Sequence, residues 1–436
     1  MDNIINDRRF TEIAEKIDKL NSADDYSLSF SIKKTALTRF ADNMVTQNID
    51  KFNEKLFLTS YFNGKKGTLS SSDLSDDGIK NLVDKCETAA KNSVVDLEYI
   101  PTLSHIEQKI TNNIDEKILR ITPKDRAEIA KYAIEHAKKE NATAFGTVSD
   151  YLNGWGISTK NGMRKYYAHT NFSYKNTIDF NGEKGAAWKS SVRKDDVNHV
   201  EHFEEALLDA INMQNRIEFE PGRYKVLLSA RAAKDLYMMM SFYGMSRRAV
   251  DEGYSPYSGK LGEKIGDERI SIFTDPNDPS VLSSPFDSEG MPIDKSYIIK
   301  EGILDNVPCS RFWAKKNDLN PWSIGNIIIP GSERGENELL KKIERGFYIK
   351  EFWYIRLVNM EDLTLTGMTR NGFFYVEDGK IKSGSNHFRW NDSPYKMLNR
   401  IVELGISEGN TTEWGFGTSI PSMIVDDFYL SSKTLF

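Results

Sequence analysis

Cysteine is nearly absent from this chain. Its 436 residues include only Cys86 and Cys309, far apart and in no CxxC pair. That excludes a zinc ribbon, a thioredoxin motif and a disulfide framework. Histidine is scarce too: His105, His136, His169, His199, His202 and His387 are the full set, with none between 202 and 387. No HExxH or HExxxH occurs, so the two imidazoles and the adjacent glutamate of a zincin helix are missing. Only His199 and His202, in HVEH, could share a helix face, and the acidic residues around them point to a solvated helix rather than a metal site. SGKLGEKIGDE has three glycines but no GK[ST] ending, which removes the magnesium-binding hydroxyl of a P-loop. GSERGENELL places Gly331 and Gly335 before a helix, where a capped loop is expected. There is no G-x-S-x-G elbow. The S-x-x-K matches at Ser31–Lys34 and Ser191–Lys194 fall in expected strands, whereas the β-lactamase-type serine starts a helix. Cys309, in NVPCSRFW, has no neighbouring histidine in sequence and is expected to be a small buried hydrophobe. No run approaches the ~18 apolar residues of a membrane span. MDNIINDRRFTEIAEKIDKL is charged throughout, unlike a signal peptide. A soluble, cytoplasmic protein is expected.

What is present is globular: 39% hydrophobic, 28% charged and 11% aromatic residues, with a net charge of -6. Such a balance supplies ample core and no overall basic footprint for nucleic acid. Carboxylate pairs such as Asp275 and Asp278, Asp287 and Glu289, or Asp426 and Asp427 are too numerous to single out a catalytic one, and most suit turns.

The pattern along the chain reads as α+β. Residues 9–20 predict a helix with Phe10, Ile13, Ile17 and Leu20 on one face. SLSFSIKK, LTRFADNMVTQN and KLFLTSYF predict three strands, with a turn at Asn63-Gly64. A helix over 73–91 follows, then a connection from 92 to 121 containing a short helix. Thr122 and Pro123 suit the start of the next helix. Strands with turns at Asn161-Gly162 and Asn181-Gly182 occupy 143–193, and a helix spans 196–214. Glu220-Pro221-Gly222 marks a boundary. Residues 1–215 are therefore expected to be an N-terminal α+β domain of mixed sheets and helices, with 1–92 and 122–215 as candidate subdomains. Residues 216–436 are expected to form a strand-rich mixed β domain with a few helices. These include 232–243 and 336–345, the latter capped by Gly346 in a left-handed conformation. Asp378-Gly379 is the clearest hairpin turn.

LYMMMSFYGM, residues 236–245, sits in the first of those helices with no charge at all. Leu236, Met239, Met240 and Tyr243 would share one face, so core packing is the plain reading. Flexible methionines lining a groove or a partner surface are the alternative.

Several ordered stretches resemble the TldD/PmbA family, whose older name is "modulator of DNA gyrase" and in which PmbA is also called TldE. They are LTRFADNMVTQN, YSGKLGEKIGDERISIFTDPND, SSPFDSEGMP with IIKEGIL, and GFYIKEFWYIRLVN with GMTRNGFFYVEDGKI. They span nearly the whole chain. In the TldD branch a helix carries HExxxH and a cysteine near the carboxyl terminus completes the metal site. The PmbA/TldE branch lacks those ligands and pairs with the first branch in a complex that cleaves unfolded or linear peptides. YSGKLG resembles the FSG-type segment downstream of HExxxH. Counting back from it places the histidines near Met238 and Tyr243 and the glutamate near Met239. No cysteine follows Cys309.

The resemblance thus implies a PmbA/TldE-like chain, with no catalytic residues, no metal and no cofactor of its own. Zinc belongs to a TldD-like catalytic partner, unfolded or extended peptides are the ligands, and a homodimer is the alternative without that partner. Neither membrane nor nucleic acid is an expected partner. Met239, Tyr243 and Arg247 are the candidate peptide- or partner-binding residues on the inner face. Tyr257, Asp275, Asn277 and Phe286 join them by motif position, with turn or packing roles as the plainer alternative. Two rival functions remain at this level: a stand-alone atypical peptidase using His199 and His202, and a binding protein that modulates gyrase.

Overall fold

The structure is a computed structural model that describes residues 2–412 and 416–434. Two sheets dominate it. The first contains β1 (Asp25–Ala41), β2 (Met44–Phe62), β3 (Lys65–Ser71), β4 (Thr143–Thr159), β5 (Arg164–Phe180) and β6 (Glu183–Ser191). Its order is β3-β2-β1-β4-β5-β6, antiparallel throughout. Pairing of β1 with β4 joins the strands of the 1–92 segment to those of the 122–215 segment in a single sheet.

Around it lie α1 (Asp2–Ile5), α2 (Arg8–Leu20), α3 (Asp76–Asn92), α4 (Glu116–Leu119), α5 (Pro123–Lys139) and α6 (His199–Asn212). Four of them cover one face. Phe10, Ile13 and Ile17 of α2 and Ile79, Leu82 and Val83 of α3 pack on Leu28, Phe30, Ile32, Leu56 and Leu58. Ile129, Ala133 and Ala137 of α5 and Phe203, Ala206 and Ala210 of α6 pack on Phe40, Val148, Phe172, Tyr174 and Ile178. Thr122 caps α5 in a reciprocal capping box with Asp125, and Pro123 occupies its first turn. The helix is thereby started by its own sequence.

One expectation is corrected here. LTRFADNMVTQN is not a strand but a hairpin. Asp42 and Asn43 have φ of 50° and 57°, the two positive angles of a type I′ turn, so LTRFA ends β1 and MVTQN begins β2. Asn63-Gly64, Asn181-Gly182 and Asp378-Gly379 turn the chain in the same way. The 92–121 connection carries α4, as expected, and laces the two sheets' surroundings together. Gln108 donates to the carbonyl of Pro285, and Arg311 donates to that of Pro101.

The second sheet is assembled from β7 (Gly222–Leu228), β8 (Ile272–Thr274), β9 (Ser296–Lys300), β10 (Ile303–Leu304), β11 (Asn326–Ile328), β12 (Arg345–Asn359), β13 (Thr364–Glu377), β14 (Lys380–Gly384), β15 (Phe388–Asp392), β16 (Ile401–Thr411) and β17 (Gly417–Lys433). Between them run α7 (Ala230–Tyr243), α8 (Arg247–Asp251), α9 (Arg311–Asn317), α10 (Glu336–Leu340) and α11 (Pro394–Met397). β7 pairs in parallel with β12 and antiparallel with β17. Since β12, β13, β15 and β17 pair in succession, these five strands close on themselves. Val226 and Leu228 face the main core inside, and Leu227 faces a second cluster with Tyr348, Phe374 and Ile424. β7 is apolar on both faces because both are covered.

The helix expected over 336–345 is shorter, ending at Leu340, and Gly346 does not cap it. Gly346 lies inside β12, where a Cβ would come within 2.3 Å of the carbonyl oxygen of Lys225 on β7. The glycine serves close strand approach, not a left-handed cap. The whole is a mixed α+β fold. No described helix is long and apolar enough to cross a membrane.

Candidate functional site

The uncharged LYMMMSFYGM segment forms most of α7. The Ser229 side chain accepts from the backbone N–H of Ala232, and the helix follows. Ala232, Ala233, Leu236, Tyr237 and Met240 are buried in the main core. Met239 and Tyr243 are half-buried and pack against its edge. Met238 is also half-buried, while Phe242 is 68% exposed. The expected face of Leu236, Met239, Met240 and Tyr243 is thus rotated toward Tyr237. Two of its four members fill the core and two lie at the rim.

The remaining expected residues divide by role. Arg247 pairs with Asp251 one turn on at 2.9 Å, and its backbone N–H donates to the carbonyl of Pro308. Tyr257 is fully buried against the edge of the Tyr395 ring at 5.3 Å. Its hydroxyl has no hydrogen-bond partner among the described residues, and burial raises its pKa. The Asp275 carboxylate accepts from the backbone N–H of the exposed Asn277 and pairs with Lys295 at 3.1 Å. Phe286 is buried and lines a cavity. Met239, Tyr243 and Tyr257 belong to one core region, Asp275 and Asn277 to a turn, and Phe286 to a separate wall. They do not form one constellation.

The α7 positions do not suit zinc. Thioethers and a neutral phenol are poor zinc donors. Among the described residues no group of three or more His, Cys, Asp or Glu side chains is arranged to hold a metal ion. Cys309 is 4% exposed, with its thiol pKa pushed up by burial. His199 and His202 lie on α6 against aromatic rings. The His199 ring meets the Tyr132 ring edge-on at 5.3 Å, and His202 stacks on Tyr174 at 6.5 Å.

His202 belongs to a buried charge cluster where α6 meets the second sheet. Its Nδ1 is 3.6 Å from a Glu205 carboxylate oxygen. Lys350 Nζ lies 2.6 Å from Glu205 and 2.7 Å from Asp209, and Arg231 approaches Glu205 at 3.5 Å. Burial works against ionisation of Glu205, but His202, Lys350 and Arg231 hold its carboxyl well below the usual range. Burial pushes Asp209 up to about 6, with Lys350 pulling against it. Every member has an opposite charge close by, so the cluster reads as an inter-sheet tie.

The concave site lies elsewhere, on the face of the first sheet that no helix covers. A cavity of about 640 Å³ opens between Trp155, Tyr167 and His169 of that sheet and Phe286, Ile293 and Phe416 of the second region. A second cavity of about 570 Å³ shares Lys33 with the first and runs past Tyr151, Arg39 and Lys175. A third, of about 300 Å³, shares Thr147 and Lys175 with the second and reaches Trp188 and Lys234 at the start of α7. Together they form a trough along β4 from Trp155 to Phe145. At 3.3 Å per residue that is about 33 Å, the length of an extended peptide of about ten residues.

Two rungs across the strands give the trough its chemistry. Lys33, Asn153 and His169 are mutually opposite on β1, β4 and β5. The Asn153 amide is 3.1 Å from His169 Nε2, and burial lowers the His169 pKa to about 4, assisted by Lys33. His169 is therefore neutral near pH 7, receiving the Asn153 N–H at Nε2. At the other rung, Arg39, Thr147, Lys175 and Trp188 stand opposite one another. Between them lie Leu37, Ser149, Ser173 and Ser190. Of the candidate binding residues Met239, Tyr243, Arg247, Tyr257, Asp275, Asn277 and Phe286, only Phe286 lines this trough. The missed signal is alternation: in SIKKTALTRF, residues 31, 33, 35, 37 and 39 face away from the helices.

Known proteins give this arrangement its relatives. A family profile for the PmbA/TldA metallopeptidase C-terminal domain matches residues 221–432. The Metalloprotease PmbA homolog of Buchnera aphidicola is 25% identical over 410 residues, covering 88% of this chain and 90% of that protein. TldE from Thermococcus kodakarensis superposes with a TM-score of 0.84 at 15% identity, over 97% of this chain and 99% of that one. A Thermotoga maritima protein described as a candidate modulator of a DNA gyrase superposes with a TM-score of 0.82 at 21% identity, over 97% of this chain and all of that one. The two superpositions speak for the fold, and the profile and the PmbA homolog support the TldD/PmbA family, with residues 221–432 matching its metallopeptidase C-terminal domain.

Proposed function

We propose that this chain is a non-catalytic, metal-free subunit of a TldD–TldE-type peptidase complex. In this reading it holds unfolded or linear peptides and completes a chamber for a zinc-carrying, TldD-like partner. The observation that carries the proposal is the composition of α7. Met238, Met239 and Tyr243 stand where the resemblance puts the histidines and glutamate of the metal-binding branch. Chemistry would then belong to the partner, and this chain's contribution would be binding. The open trough supports that role, being peptide-sized and lined by strands, aromatic rings and hydroxyls. Residues 1–215 and 216–436 are proposed as its two domains, with the trough under their junction.

The test is a native mass of the tagged chain recovered from its own cells, with metal content measured on the same sample. A complex with a second, zinc-carrying chain of similar size is the expected result. A metal-free assembly of this chain alone would remove the partner from the proposal, and zinc bound by the isolated chain would overturn it. A Met238→His, Tyr243→His variant should gain no peptidase activity, since the glutamate and the third ligand are still missing. His199 and His202 give no support to a stand-alone peptidase, because both rings are engaged in packing and His202 in the Glu205 cluster.

A further inference from the structure

The trough carries a charge opposite to that of the chain. Lys33, Arg39, Lys175 and Lys234 line its three cavities, and the single lining carboxylate among the described residues is Asp287. Asp287 is already engaged. One oxygen accepts from the backbone N–H groups of Glu289 and Met291, and the other from the Ser323 hydroxyl. Lys51 and Lys55, exposed on β2, stand opposite Thr35 and Ser31 and extend the same positive face. All this sits on a chain of net charge -6.

The strongest positive point is the Thr147 rung. Arg39 on β1 and Lys175 on β5 flank Thr147 from either side, about 10 Å apart across two inter-strand spacings. Both are exposed and form no ion pair among the described residues. A chain lying over β4 would pass between them. Lys234 adds to that end, its ammonium 3.9 Å from the centre of the Trp188 ring and 3.3 Å from Asp235. Lys33 lies six residues from Arg39 along β1, about 20 Å away.

We propose that the trough selects extended peptides bearing acidic side chains, with Arg39 and Lys175 clamping a carboxylate over Thr147. This rests on the peptide-holding role proposed above and names the chemistry of its ligand. Side chains six residues apart share one face of an extended chain, so a second carboxylate at that spacing reaches Lys33. Four cations over about 33 Å are too sparse for a nucleic-acid strand, whose charges recur every ~3.4 Å. They suit intermittent carboxylates. The aromatic end at Trp155, Tyr167 and Phe286 would take an apolar or ring side chain beyond the acidic pair.

The test is fluorescence anisotropy of the full chain with three labelled Gly/Ser peptides of about ten residues. They carry Glu, Gln or Lys at two positions six apart. The Glu peptide should bind at least tenfold more tightly than the Gln peptide, and added NaCl should erase the difference. The R39E/K175E double variant should prefer the Lys peptide, whereas Lys85→Glu on the exposed side of α3 should change nothing. Circular dichroism melts of both variants confirm folding. Equal affinity for the Glu and Gln peptides would overturn the charge selection and leave the peptide-holding role standing. No binding of any peptide would overturn both. Tighter binding of a single-stranded oligonucleotide of equal length would overturn a peptide as the occupant.

Discussion

The two faces of the first sheet are made by the same strands and differ in everything else. On β1, Leu28, Phe30, Ile32 and Phe40 are buried under helices. Ser31, Lys33, Thr35, Leu37 and Arg39 alternate with them and line the trough. On β4 and β5 the covered side holds Val148, Phe172, Tyr174 and Ile178, and the open side holds Thr147, Ser149, Ser173 and Lys175. The period-2 geometry of a strand lets one sequence build a core and a binding surface at once. The covered face carries stability and the open face is free to carry recognition. Substitutions on the two faces should therefore fail in different assays.

The largest effect is expected on the covered face at Arg126. Its guanidinium meets Asp150 at 2.6 Å, with side chains 1% and 8% exposed. Burial raises the Asp150 pKa, and Arg126, helped by Lys34, opposes that rise. Arg126→Ala should strand the carboxylate and cost about 3–5 kcal/mol in urea unfolding. A loss below ~1 kcal/mol, the scale of an exposed pair, would break the contrast between the faces.

A pH effect comes next, from the tie between α6 and the second sheet. Asp209 is raised from 3.8 to about 6, so between those values the folded chain holds its proton more tightly than the unfolded chain. Its stabilising contribution is complete below the unfolded value and is lost as pH rises through about 6. Glu205 runs the other way: depressed when folded, it stabilises above its unfolded value and loses this as pH falls. Asp209→Asn should therefore gain stability relative to the parent chain between pH 4 and 7. Urea titrations of both proteins across that range measure the difference, and a pH-independent offset would reject the assignment.

Smaller again is the cap of α5. Thr122→Ala removes the side-chain acceptor for the Asp125 N–H and should cost about 1 kcal/mol. This helix was also the most legible element in the sequence, because its start is written in adjacent residues. The two-residue turns were legible for the same reason, as Asn-Gly and Asp-Gly tolerate positive φ. The Asp42-Asn43 turn escaped because Met44 and Val45 continue an apolar-looking run and no glycine marks the bend. Gly346 misled because glycine after a helix suggests a cap, whereas its requirement comes from Lys225, 121 residues earlier in the chain. The trough was illegible as a site for a similar reason. Its members lie on β1, β4, β5 and β6, which meet through strand register, and on α7 and the segments around Phe286, Ile293 and Phe416, which meet them only in the folded chain. Each, taken alone, is an ordinary surface lysine, serine or aromatic residue. The family resemblance directed attention to α7 and the segments after it, and of those candidates only Phe286 borders the trough.

The smallest expected effect on stability is also the one that separates the faces most sharply. Arg39 and Lys175 are exposed and form no ion pair among the described residues, so reversing either charge should change unfolding free energy by no more than about 0.5 kcal/mol. Peptide affinity should change by an order of magnitude for the same substitutions, since the clamp is built from these two charges. Phe172→Ala, three residues from Lys175 on the same strand but facing the helices, should do the reverse. It should lose about 3–5 kcal/mol of stability and, at temperatures where the variant remains folded, keep the parent's preference between Glu and Gln peptides. If Lys175→Glu unfolds the chain, or if folded Phe172→Ala loses the preference, the two faces are coupled. Alternation along the strands would then no longer separate what holds the fold from what binds the peptide.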